Sequence, residues 1–101
     1  MFRLASFDLA GRRILVVEEE DSVAEKMAEE IVQAGGISLG PVTSVTAALD
    51  LIPTMSRVDC AMLDVRHIAE TELPIITVFR QLAVEVVFVT GFDDWYTSYE
   101  N

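Results

Sequence analysis

Hydrophobic residues along the chain alternate between two kinds of run. Ile14-Leu15-Val16-Val17 is short, continuous and rich in β-branched residues. Ala61-Met62-Leu63 and the stretch from Val84 to Val89, broken by Glu85, are also short and mostly apolar. Such runs predict strands buried on both faces, as in a parallel sheet. Between them the apolar residues recur at helical spacing: Ala24, Met27, Ala28, Ile31 and Val32, then Ala47, Ala48, Leu51 and Ile52. Ser22 and Glu25 have the spacing of a capping box and predict the first helix start. Gly35-Gly36 predict its end, because glycine tolerates the left-handed C-cap. Ile37-Ser38-Leu39 predicts a short second strand closed by Gly40-Pro41. The second helix runs from Ser44 to Ile52 and stops at Pro53. Asp59 to Leu63 forms a third strand ending at Asp64. After a polar loop, Arg66 to Glu72, Pro74 suits the first turn of a third helix carrying Ile75, Ile76, Val78, Phe79 and Leu82. The fourth strand ends at Thr90-Gly91.

Strand and helix therefore alternate, which predicts an α/β fold: a parallel sheet of about four strands, helices on both faces and right-handed crossovers. In such sheets functional groups collect at the carboxyl ends of the strands. Three of the predicted strands end in polar residues, Glu18/Glu19, Asp64 and Thr90. The organisation reads as an N-terminal arm (1–11), one domain (12–94) and a C-terminal tail (95–101).

Composition narrows the classes. The 101 residues suffice for one small domain. Half of them (51%) are hydrophobic, and the mean hydropathy is +0.38, which fits a dense core or a buried partner interface. No apolar run approaches the roughly 18–20 residues of a membrane span. Met1-Phe2-Arg3-Leu4-Ala5 lacks the apolar core of a signal peptide. Cys60, the sole cysteine, lies inside a predicted strand, so a buried thiol and a cytoplasmic location are expected. Seventeen acidic against seven basic residues give a net charge of −10, which argues against direct nucleic-acid binding.

Carboxylates converging on one sheet edge make a hard oxygen site suited to Mg²⁺. One of them, Asp64, is then placed to act as a nucleophile toward a phosphoryl group, with the Thr90 hydroxyl positioned to hydrogen-bond the product. Each feature also has a plainer explanation. The acidic run Glu18 to Asp21 suits a helix N-terminus, and Asp64 and Thr90-Gly91 suit turns. His67 reads as an ordinary loop histidine. Trp95, Tyr96 and Tyr99 fit a core cap or a partner interface equally well.

Taken together, Ile14 to Glu20, Ala61-Met62-Leu63-Asp64-Val65 and Val87-Phe88-Val89-Thr90-Gly91-Phe92 resemble the three ordered motifs of response-regulator receiver domains. The spacings are similar too: 45 residues from Glu19 to Asp64 and 26 from Asp64 to Thr90. The resemblance covers about residues 12–94. It implies a flavodoxin-like, doubly wound sheet of order 2-1-3-4-5, here truncated to about four strands. It further implies a phosphorelay signalling protein that is not a turnover enzyme. Asp64 would accept a phosphoryl group from a sensor histidine kinase or phosphotransfer protein. Mg²⁺ would be held by Glu18, Glu19, Asp64 and the backbone carbonyl of Arg66, and Thr90 would be the switch hydroxyl. The signal would pass by protein–protein docking.

The sequence departs from the family at Glu19, where an aspartate is usual, and at Arg66-His67, where an asparagine-containing stretch is usual. The single lysine, Lys26, falls in the first helix and does not match the family's active-site lysine. A fifth strand and helix are not recognisable. These departures define the alternative, a phosphorylation-incompetent pseudo-receiver acting as a dimerisation or interaction module. They also predict an exposed apolar edge at Val84 to Val89, covered by residues 92–101, by the arm or by a second copy in a homodimer. No glycine-rich phosphate loop follows the first strand, which disfavours a small-molecule enzyme on the same fold.

Overall fold

The computed structural model describes residues 8–64 and 76–89, with Asp64 and Ile76 described by backbone alone. Among these residues four strands and three helices alternate: β1 (Arg13–Val17), α1 (Asp21–Gln33), β2 (Ile37–Val42), α2 (Val45–Leu51), β3 (Cys60–Asp64), α3 (Ile76–Gln81) and β4 (Glu85–Val89). The sheet is all parallel with the order β2-β1-β3-β4. This is the α/β, doubly wound arrangement expected, with the first four strands in flavodoxin-like order.

Alternation along the two central strands separates two cores. Ile14, Val16, Cys60 and Met62 face α1, meeting Val23, Ala24, Met27 and Ile31. Leu15, Val17, Ala61 and Leu63 face the other way, meeting Val45 and Ala48 of α2 and Phe79 of α3. Both faces of β1 are therefore covered. That is why its sequence is a continuous apolar run.

α1 ends as its glycines predict. Gly35 adopts φ +89°, its N–H donates to Val32 C=O (3.0 Å), and the Gly36 N–H donates to Ile31 C=O (2.9 Å). These two bonds form a Schellman motif. Its start differs from expectation. The N-cap is Glu20, with no side-chain capping bond, and Ser22 lies inside the first turn. The capping box does not form because the chain turns into the helix directly from β1, and the Glu18 carboxylate takes the Glu20 N–H instead (2.9 Å). Ser44 does cap α2, its Oγ accepting from Ala47 N–H (3.0 Å). A 3-10 turn, Ile52–Thr54, carries that helix past Pro53.

Two further differences concern the sheet and α3. β2 runs to Val42 through Gly40-Pro41, where the sequence predicted closure. The missing proline N–H is tolerated because, among the described residues, β2 is an edge strand. In α3, Phe79 is fully buried and Val78 is exposed, and Leu82, expected on the helix, lies exposed in the turn just after it. Of the N-terminal arm, residues 8–11 dock on the domain. Leu9 packs against the α1-side core, its N–H donates to Ala34 C=O (3.0 Å), and Gly11 N–H donates to Gly35 C=O (3.1 Å).

Candidate functional site at the carboxyl edge of the sheet

The carboxyl ends of the two central strands carry acidic residues side by side. β1 and β3 pair in parallel with Val17 opposite Leu63, so the next residues along, Glu18 and Asp64, continue the two strands at the same level. Neighbouring strands lie about 4.8 Å apart. Asp64 closes β3 and is paired on its other side with Val89, the last residue of β4. The Glu18 N–H donates to Val42 C=O at the end of β2 (2.9 Å). The ends of all four strands thus meet at one edge, with acidic residues on its central pair.

The two glutamates differ. Glu18 is buried, with 3% of its surface exposed, and its Oε2 accepts the Glu20 N–H. Its position is dictated by β1, whose apolar residues leave the chain in the interior as the polar run begins. Glu19 is exposed at the mouth of the edge. Glu20 and Asp21 follow as N-cap and first residue of α1, where carboxylates favour the positive end of the helix dipole. The plain role of the acidic run, as the start of a helix, is thus met in this segment.

Of the residues singled out from the sequence, Glu18, Glu19 and Asp64 are brought to one edge by the backbone. Arg66, His67 and Thr90 lie outside the described residues. Among the described residues no group of three or more His, Cys, Asp or Glu side chains is arranged to hold a metal ion. The donor set at the edge is nonetheless all carboxylate, the chemistry that hard divalent cations select.

A second polar cluster, which the sequence pattern did not reveal, sits at the opposite edge. The Asp59 Oδ2 accepts the Arg13 N–H (2.8 Å) and lies 3.3 Å from Arg57 Nε. Arg57 donates from Nη2 to Gly11 C=O (2.9 Å), and Arg13 donates from Nε to Arg57 C=O (2.7 Å). These bonds join the amino ends of β1 and β3. The residues lie more than forty positions apart in sequence, so no local motif announces them.

Cys60 is buried on β3 as expected. Desolvation, reinforced by the nearby Glu85 carboxylate, pushes its thiol up to about 12. It is an inert core thiol, not a nucleophile. Among the described residues no helix is long and apolar enough to cross a membrane. Neither a known family model, nor a curated protein, nor a solved structure matches the chain.

Proposed function

We propose that the chain is a receiver of the response-regulator type, with Asp64 as phosphoryl acceptor. The observation that carries this reading is the juxtaposition of Glu18 and Asp64 at the carboxyl ends of adjacent central strands. The order β2-β1-β3-β4 supports it, since acceptor and acidic pair of that family stand on the first and third strands. The Asp64 carboxylate attacks the phosphorus of a phosphohistidine on a sensor kinase or phosphotransfer protein. An O–P bond forms, the N–P bond breaks, and the imidazole leaves with its electron pair. Glu18, Glu19, Asp64 and the Arg66 carbonyl would hold Mg²⁺, whose charge would offset that of the incoming phosphoryl oxygens. The phosphoryl group carries roughly −1.5 to −2 charge and takes the place of the single charge of the Asp64 carboxylate, a net gain of about one negative charge next to the acidic run. Thr90, directly beyond β4, would hydrogen-bond it and pass the change to a docking partner. We place the activity in the cytoplasm, where a buried reduced Cys60 belongs.

One observation favours the alternative of a pseudo-receiver. The buried Glu18 carboxylate already holds the Glu20 N–H, a structural task independent of any metal. Trp95, the single tryptophan, lies five residues beyond Thr90 and separates the two readings. Its fluorescence is followed as Mg²⁺ and then beryllofluoride are added. A response to both that disappears in Asp64→Asn is expected of a working receiver. No change at either step identifies the pseudo-receiver.

A further inference from the structure

We propose that β4 is the self-association edge of the molecule, pairing antiparallel with β4 of a second copy around a two-fold axis at Val87. Among the described residues β4 has one strand neighbour, β3. The Glu85 N–H donates to Asp59 C=O (3.1 Å), so the backbone of Glu85, Val87 and Val89 is directed toward β3. Alternation then turns the N–H and C=O groups of Val86 and Phe88 outward. An antiparallel neighbour centred on Val87 places Val86 opposite Phe88 of the partner subunit. That is the position at which two residues exchange both backbone hydrogen bonds. The same pairing recurs across the axis, so the outward groups of one strand are satisfied by the identical set on the other. A patch that complements itself in this way is the requirement for an isologous dimer.

Side chains fit the same register. Directly opposed residues share a face of the sheet. Val86 packs against the core on the side of α3, and alternation puts Phe88, which is 43% exposed, on the same face. The two copies would bring Val86 and Phe88 together on one side of a continuous sheet. Glu85 falls opposite a valine, so no like charges face one another, and its own carboxylate lies 3.6 Å from Arg12.

Charge favours the antiparallel sense for a second copy. The carboxyl edge carries Glu18, Glu19, Glu20, Asp21 and Asp64, whereas the amino edge sets Arg12, Arg13, Arg57 and, in the last turn of α3, Arg80 against Asp59 and Glu85, which leaves it much less acidic. Antiparallel pairing sets the acidic edge of one copy at the level of the arginine-bearing edge of the other. It also holds the two acidic edges at opposite ends of the dimer. A head-to-head arrangement would stack them in a chain already at −10.

Sedimentation of the full chain over a concentration series, combined with cysteine cross-linking, tests the proposal. The wild type is expected to form a dimer. Phe88→Pro removes an outward N–H without touching the β3 ladder, and Phe88→Lys places a charge at the seam. Each is expected to weaken association roughly ten-fold or more while circular dichroism stays unchanged. Val87→Cys sets two thiols across the axis within the roughly 4.4–6.8 Å Cα separation that a disulfide spans, so it should cross-link under mild oxidation. Val86→Cys should not, and the buried Cys60 contributes no background. A wild type that stays monomeric at every concentration overturns the proposal. So does cross-linking of Val86→Cys as readily as Val87→Cys. Val86 and Phe88 amides found bonded within one chain by NMR would overturn it too, by assigning the edge to another segment of the same chain.

Discussion

The two edges of this sheet are built in opposite ways. β2 carries Gly40-Pro41 in its middle, and its register against β1 shifts between Leu15 and Val17. Proline removes a donor and the shift twists the strand, two devices that make an edge a poor template for another strand. β4 has neither: Glu85-Val86-Val87-Phe88-Val89 is regular, and each residue pairs in step with β3 from Cys60 to Asp64. It also exposes Phe88. One side of the sheet is closed by its backbone, while the other keeps the geometry that pairing requires. This asymmetry could not be weighed from the sequence alone, because Gly40-Pro41 reads there as the end of a strand and not as part of one.

The contrast can be broken most forcefully beneath β4. Phe79 and Phe88 lie on the same side of the sheet, one fully buried and the other on the rim. Phe79→Ala should cost about 3–5 kcal/mol in urea unfolding. Phe88→Ala should cost less than about 1 kcal/mol in the dilute monomer while lowering self-association. Equal losses would mean that Phe88 belongs to the core and β4 is not an open edge.

On the other side, Gly40 holds the blunted edge in place. Its φ is +84°, and an added Cβ would lie 3.0 Å from Val42 N and 3.0 Å from Leu15 Cδ1. Gly40→Ala should destabilise by about 1–3 kcal/mol, measured by the same unfolding curves. A neutral result would show that β2 rearranges freely and that its irregularity is incidental.

The smallest effect concerns Cys60, which stands on β3 opposite Glu85. Its thiol is raised from 9.0 to about 12, so the folded state favours the protonated form. The stability this contributes is fully present below about pH 9 and is lost as the pH climbs toward 12. Wild type should therefore lose ground to Cys60→Val between those limits. At neutral pH, labelling of Cys60 by a thiol reagent should be slow and should accelerate only as β4 opens. Fast labelling of the native chain would contradict the burial that β4 provides.

Much of the fold was legible because each element satisfies its own local needs. β1 announces itself by four apolar residues that face both cores, and α1 ends where Gly35 can adopt a left-handed φ. The misread positions are those where a distant group intervened. Ser22 matches a cap by spacing, yet Glu18 supplies the bond that shapes the turn into α1. Gly40-Pro41 looks like a strand end, yet an edge strand accommodates it. Val78 has the right spacing for a core position, but among the described side chains of α3 only Phe79 turns fully inward. Of the candidate site, Glu18, Glu19 and Asp64 were found as strand ends, and their shared edge followed from parallel order. The depth of Glu18 did not.

What the sequence determined by itself was the alternation of strands and helices, the polar ends of three strands and the inert setting of Cys60. Periodicity and punctuation are local properties, and they survive without knowing the neighbours. Tertiary structure alone decided that Glu18 is buried while Glu19 is exposed, and that Asp59 joins β1 to β3 through contacts with Arg13 and Arg57. It also decided that β2 and β4 make unlike edges. Those outcomes depend on which strand lies beside which, and pairing between residues far apart in sequence leaves no mark on either run alone.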